Sequence, residues 1–294
     1  MVVTLGSFDG VHRGHIELLQ RVIEISLERS VKSAVLTFWP HPRYVLDLPD
    51  KAPLLLNTLA ERVEMLRRTA VNDIIVCPFD SALSQMSAND FITDIVIAKL
   101  KAKYLVIGSD HQFGRGRNGD IQMLANYATN NDFKLEVVDL KMLDGKISST
   151  AIRELLLKGE IESANRMLGY RYIISGKVVE GNRLGRSIGF PTANIETPAY
   201  KLLPRNGVYS VRVRTEGHSF DKSGMMYIGL RPVLKQANAN LTVEVNIFDF
   251  DRQIYGQEIA IEITGRIRDD VKFDNMEQLA RQLRCDKEKA RLLR

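Results

Sequence analysis

Two histidines three residues apart, His12 and His15, stand in the run Gly6-Ser7-Phe8-Asp9-Gly10-Val11-His12-Arg13-Gly14-His15, which also holds three glycines. Imidazoles at i and i+3 share a face when such a run opens a helix. The first amides of a helix have no intrahelical partner and lie at the positive end of its dipole, where phosphate oxygens bind. The chemistry this suits is phosphoryl or nucleotidyl transfer, in which donors stabilise charge growing on a breaking phosphoanhydride. Two plainer readings stand beside it: capping or surface histidines, and half of a metal site. For the metal, the chain offers five histidines and two isolated cysteines, Cys77 and Cys285, without zinc-like spacing, and no glutamate between the histidines as in a metalloprotease helix.

Three further stretches carry candidate groups. Pro40-His41-Pro42 fixes a bend that aims His41, and Gly108-Ser109-Asp110-His111-Gln112-Phe113-Gly114-Arg115-Gly116-Arg117-Asn118-Gly119 sets Asp110 and two arginines among glycines. In Ile147-Ser148-Ser149-Thr150-Ala151-Ile152-Arg153, either Ser148 or Ser149 caps a helix. A hydroxyl cluster with an arginine one turn on also suits a triphosphate.

These stretches need elements to position them. Apolar runs at 2–5, 33–38, 73–77, 103–107 and 133–138 alternate with helical patterns at 15–29, 58–69, 88–101 and 119–130. The alternation predicts an α/β domain, a doubly wound, Rossmann-like parallel sheet with ligands gathered beyond the carboxyl ends of its strands. The histidine run, the Pro-His-Pro bend and the glycine-rich loop all fall at those ends. A helical pair at 149–157 and 160–168 follows, and after Gly169 the spacing changes to alternation. Strands expected at 172–180, 207–215, 224–229, 241–249 and 258–268, with a closing helix over 273–293, predict a small antiparallel β-barrel. The domains are set at 1–157 and 172–294, with a helical linker at 158–171.

The barrel half has its own unusual segment, Gly181-Asn182-Arg183-Leu184-Gly185-Arg186-Ser187-Ile188-Gly189-Phe190-Pro191-Thr192-Ala193-Asn194. It reads as a flexible cationic loop suited to covering phosphates. It lacks the Gly-Lys-Ser/Thr ending of a Walker loop, which leaves Thr192 and Asn194 as the Mg2+ ligands. Glu244, alternating with Val243 and Val245, is by spacing alone an ordinary solvent-facing strand glutamate.

The chain's 294 residues, 45% apolar and 26% charged, suit a two-domain globular protein, and its net charge of +5 is spread out rather than gathered into a nucleic-acid stripe. Met1 leads directly into a strand and no apolar stretch spans a bilayer, so a cytoplasmic protein without membrane or nucleic-acid partners is expected, a monomer by preference.

His-x-Gly-His early and the serine-rich turn late resemble the nucleotidyltransferase superfamily. The Phe8-Asp9-Gly10-Val11-His12 form, joined to Pro40-His41-Pro42 and Ile147–Arg153, is similar to the FMN adenylyltransferase module of prokaryotic bifunctional FAD synthetases over residues 1 to about 157. Gly189-Phe190-Pro191-Thr192-Ala193-Asn194, Pro204–Tyr209 and Val243–Asp251 with Tyr255-Gly256 resemble the riboflavin kinase signature of the same family.

That resemblance implies two reactions. At the barrel, Glu244 is the general base that takes the proton of the riboflavin 5'-hydroxyl, with Mg2+ held by Thr192 and Asn194. Contacts to ATP and riboflavin fall on Gly181, Arg183, Gly185, Arg186, Gly189, Pro191 and Arg268. At the other domain FMN attacks a second ATP to give FAD and pyrophosphate. There His12 and His15 are catalytic, and Gly6, Phe8, Asp9, Gly10, Gly14, His41, Asp110, Arg115, Ser148, Ser149, Thr150 and Arg153 hold the substrates.

The chain departs from the family pattern at His111-Gln112 (usually Phe-Arg), Tyr227 (Asn), Val233 (Thr) and Asn246 (His). Loss of the arginine at 112 removes a bidentate phosphate donor that Arg115 or Arg117 can replace. One rival reading is a nucleotidyltransferase for another small phosphate ester, with a non-catalytic flavin-binding barrel. An aminoacyl-tRNA synthetase is disfavoured by the lysine-free 147–153 motif, and a non-enzymatic flavin or RNA binder would hold ligand without turning over ATP.

Overall fold

The computed structural model describes residues 1–46, 53–130, 133–139, 147–181, 184–215, 217, 219–230 and 241–293. Arg183 and Val233 lie outside them. Contacts divide the chain into Met1–Leu55 with Leu59–Ser148, and Leu56–Thr58 with Ser149–Arg294.

In the first unit, β1 (Val2–Leu5), β2 (Ser33–Trp39), β3 (Asp73–Pro78), β4 (Tyr104–Gly108) and β5 (Lys134–Val138) form one parallel sheet in the order β3-β2-β1-β4-β5. β1 and nearly all of β2 are buried along their length, as near-continuous apolar strands covered on both faces should be. Helix α1 (Arg13–Glu28) packs on β1, β2 and β4 through Leu18, Leu19, Val22 and Ile25. Helices α2 (Leu59–Arg67) and α3 (Ile121–Asn130) fall where the periodicity predicts them. The expected helix at 88–101 is instead wound mainly with π-type bonds over Phe91–Lys99, so its spacing drifts from 3.6 residues per turn while Phe91, Ile92, Ile95 and Val96 stay buried. The strand order reverses between β1 and β4, so the loops after these two strands flank the crevice at the switch point.

The second unit opens with a helical pair, α4 (Ser149–Lys158) and α5 (Ile161–Leu168), the latter stopped by Gly169 in the left-handed conformation, φ 83°. Asn165 fastens α5 to the barrel, donating to the Ile263 carbonyl at 3.1 Å and accepting from the Tyr172 amide at 2.8 Å. The barrel has six strands rather than the five expected: β6 (Ile173–Val179), β7 (Ala193–Glu196), β8 (Gly207–Arg214), β9 (Lys222–Leu230), β10 (Leu241–Ile247) and β11 (Glu258–Arg268), closed in the order β10-β7-β6-β11-β8-β9. β7 lies at the end of the segment read as one long flexible loop. That segment also contains a helical turn at Leu184–Ser187, whose chain returns with the Phe190 amide donating to the Gly185 carbonyl at 2.8 Å. Helix α6 (Met276–Leu292) lies against β8, β9 and β11, its Ala290 carbonyl accepting from Ser210 Oγ at 2.9 Å.

A single lysine ties this unit together. Lys201, 3% exposed, donates from Nζ to the carbonyls of Leu56 and Ile173, both at 2.6 Å, and lies 4.4 Å from the centre of the Tyr172 ring. Lys201→Met keeps the stem but leaves two buried carbonyls without that donor, at a cost of about 2–4 kcal/mol. The expected result is an earlier denaturant midpoint with an unchanged slope, read by barrel circular dichroism.

Candidate active sites

After β1 the chain turns through three residues with positive φ, Phe8 (47°), Gly10 (88°) and Val11 (36°). For Phe8 and Val11 this is a strained conformation, and such strain collects at functional sites. The turn delivers His12 to the N-cap of α1, where its Nδ1 accepts from the His15 amide at 3.4 Å. The two imidazoles stack, with centroids 3.7 Å apart and planes 14° from parallel, and the Phe8 ring leans on His15 at 5.1 Å. A β-carbon at Gly14 would rest in ordinary contact with the His12 ring, at 3.4 Å, while capping the helix uses one of the ring's two nitrogens, Nδ1. The capping reading and the ligand reading of His12 are therefore compatible.

His15 is the chemically more telling of the pair. Burial, then His12, then Arg62 hold its imidazole well below the usual histidine range, so it is neutral at pH 7. Its Nδ1 is buried with no hydrogen-bond partner among the described residues. Arg62, from α2, was missed by the sequence reading. It is wholly buried and donates to Thr37 Oγ1 at 3.2 Å and to the Phe38 carbonyl at 3.1 Å, while Thr37 donates to the Ser7 carbonyl at 3.0 Å. A positive charge thus sits behind the histidine turn. Its one signal in the sequence is that it shares a helical face with buried Met65 and Leu66.

The other expected residues of this site divide. Gly6 extends β1, its amide donating to the Leu36 carbonyl at 3.0 Å; Asp9 is buried; and His41 is buried, capping Pro42–Val45 by accepting from the Arg43 amide at 3.3 Å. Asp110 and Arg115 are exposed on the loop after β4, at the same sheet edge. That loop is pinched shut rather than open: Phe113 and Gly119 exchange backbone bonds at 3.1 and 2.9 Å, and a β-carbon at Gly114 would lie 2.7 Å from Ala88 Cα. Ser148 ends the first unit, whereas Ser149, Thr150 and Arg153 lie on the first turns of α4 in the second.

His111, in the same loop, stacks on Phe113 at 5.9 Å and its Nε2 is buried without a partner among the described residues. Burial pushes its pKa down to about 4, with Asp110 opposing and Arg117 reinforcing the shift. A depressed folded-state value means stability that is full above the unfolded value near 6.5 and is lost as pH falls toward 4. His111→Phe should therefore flatten the fall in thermal midpoint between pH 6.5 and 4 by several degrees, as read by calorimetry.

On the barrel, β-strand register places Glu244 of β10 directly opposite Asn194 of β7 on one side and Tyr227 of β9 on the other. Val243 and Val245 are buried, so alternation turns Glu244 to the opposite face. Thr192 Oγ1 donates to Glu244 Oε2 at 3.2 Å. Asn246, which replaces the usual histidine, donates from Nδ2 to the Pro191 carbonyl at 2.7 Å and so pins the segment carrying Thr192 to β10. A β-carbon at Gly181 would overlap the Asn194 amide, which makes a cradle beside that side chain. Gly189 turns with φ 81°, and Arg186 is exposed. Arg268 is tied into the fold: Nε donates to both carboxylate oxygens of the wholly buried Asp286, at 3.1 and 2.9 Å, and Nη1 to the Asp269 carbonyl at 2.9 Å. These bonds give Arg268 a structural task that its expected substrate contact did not foresee.

With both sites in view, the comparisons assign the chain. The family model for FAD synthetase matches residues 1–151, and that for riboflavin kinase matches residues 168–293. Bifunctional riboflavin kinase/FMN adenylyltransferases from Listeria monocytogenes and Escherichia coli K12 are 38% and 35% identical over 291 residues, covering 99% of this chain and 91% of theirs. The chain belongs to the bifunctional riboflavin kinase/FMN adenylyltransferase family. A further family member, from Haemophilus influenzae, is 37% identical over 98% of this chain and 92% of its own. A crystal structure described as a macrolide-efflux protein from Streptococcus pneumoniae superposes with a TM-score of 0.87 at 34% identity, covering 99% of this chain and 93% of that one. Among the described residues no helix is long and apolar enough to cross a membrane.

Proposed function

We propose that the two reactions of the family run at the two sites just described, riboflavin phosphorylation at Glu244 and adenylyl transfer at the His12–His15 turn. The chain converts riboflavin and ATP to FMN and ADP, then FMN and a second ATP to FAD and pyrophosphate. The observation that carries the assignment is the Thr192–Glu244 hydrogen bond with Asn194 alongside: a carboxylate base on β10 and two neutral oxygen donors, one on β7 and one just before it.

In the kinase step the Glu244 carboxylate accepts the proton of the 5'-hydroxyl as that oxygen bonds to the ATP γ-phosphorus, and the bond to the bridging oxygen breaks to release ADP. Thr192 holds the carboxylate in place. The Thr192 hydroxyl and the Asn194 amide oxygen fit Mg2+, which takes few protein oxygens and completes its shell with water and phosphate; when bound it neutralises charge on the transferring phosphoryl group. Arg186, exposed on the turn between Gly185 and Gly189, is placed in this reading to meet phosphate from the other side.

In the adenylyl step an FMN phosphate oxygen attacks the ATP α-phosphorus in line and pyrophosphate leaves. His12, His15 and the amides of the α1 N-terminus stabilise the developing charge, His15 as a neutral imidazole N–H donor. Ser148 grips the phosphates, with His41, Asp110 and Arg115 of the same unit completing substrate contacts. The enzyme works in this reading as a cytoplasmic monomer with only small-molecule partners. Incubation with riboflavin, ATP and Mg2+, followed by chromatography, should yield FMN and then FAD; absence of both products overturns the proposal.

A further inference from the structure

Tyr227 stands where the family usually has asparagine, and its surroundings give that departure a job. The register puts it across from Glu244, so the two side chains lie on one face, about 4.5–5.5 Å apart at their β-carbons. Its ring runs along β9 over Gly229, where a β-carbon would overlap the phenol oxygen. The phenol donates to Asp270 Oδ2 at 3.1 Å. Asp270 lies two residues beyond the end of β11 at Arg268, and Arg268 is itself fixed to Asp286. The segment 268–270 is therefore fastened twice, once to α6 and once, through Tyr227, to the strand beside Glu244. Burial and the carboxylates of Asp270 and Glu244 push the phenol up to about 12, so it remains a donor at any working pH.

Glu244 consequently has two unlike flanks. Thr192 and Asn194, the oxygen donors suited to a metal–phosphate, are on the β7 side; an aromatic ring tethered to a carboxylate is on the β9 side. A base that takes a proton from an acceptor hydroxyl while that hydroxyl attacks a phosphate must have phosphate on one side and acceptor on the other. We propose that Tyr227 is a positioning residue for the acceptor substrate, holding Asp270 so that its carboxylate receives hydroxyls of the riboflavin side chain on the flank of Glu244 opposite Thr192 and Asn194. The inference rests on Glu244 being the kinase base.

The test compares Tyr227→Phe, Asp270→Asn and the double variant in steady-state riboflavin phosphorylation. Loss of a hydrogen bond to a charged group should raise the KM for riboflavin roughly tenfold in Tyr227→Phe, with kcat and the KM for ATP within about twofold. Because the residues act as one unit, the double variant should be no worse than the more impaired single one. FAD formation from supplied FMN, unchanged in all three, reports that the chain is folded. An unchanged KM for riboflavin, a rise in the KM for ATP instead, or effects that multiply in the double variant overturns the proposal. Glu244→Gln measured alongside separates the two claims: if it retains phosphorylation the base assignment falls, whatever Tyr227 does.

Discussion

Glu244→Gln should lower riboflavin phosphorylation by roughly 10²–10⁴-fold, the range a positioned general base contributes, while FAD formation from supplied FMN stays at the rate of the unaltered enzyme. Glutamine keeps the length and the acceptor oxygen, so Thr192 can still donate to it and the β10 register with Asn194 and Tyr227 is preserved. What is lost is the capacity to take up a proton. The Asp270 carboxylate is engaged by the Tyr227 phenol at 3.1 Å. Initial rates with separate riboflavin and FMN assays decide the matter: phosphorylation within tenfold of the unaltered enzyme removes Glu244 from the role of base.

The same site shows what a sequence can and cannot disclose. Glu244 on a strand is unremarkable by spacing, because alternation states only that it faces away from Val243 and Val245; it gains meaning from the register that sets Asn194 and Tyr227 beside it. That register depends on β7, four residues following a proline, too short for alternation to declare itself. The buried runs of β1, β2 and β4 are legible for the opposite reason: a strand covered on both faces is near-continuously apolar, with only small hydroxyl residues such as Thr4 and Thr37 interrupting it. The histidine turn was readable because the residue types themselves carry the chemistry. Arg62 was not, since a charged residue on a helix is ordinarily solvated, and only the three-dimensional arrangement shows it wholly buried behind Ser7 and Thr37. Likewise the bonds from Arg268 Nε to the buried Asp286 join residues on two elements 18 positions apart, a pairing that no spacing in the sequence marks.

The second large effect separates the structural from the chemical task of the histidine turn. His12→Asn with His15→Ala should reduce FAD formation from FMN by 10³-fold or more, since removal of even one preorganised donor costs about 10²–10³, and should leave riboflavin phosphorylation intact. Asparagine is chosen at 12 because it caps a helix well, so the α1 N-terminus that His12 now caps is retained and only the imidazoles are lost. Single changes should fall short of multiplying to the double effect, because the rings stack at 3.7 Å and removing either one frees the other to move. If capping were the whole role of His12, His12→Asn alone would be silent in the adenylyl assay. The depressed His15 value adds a sign: with the imidazole already neutral, lowering the pH from 8 to 6.5 should not raise its contribution to the rate. A rate that climbed through that interval would instead require a charged His15, a form that burial, His12 and the Arg62 charge all oppose.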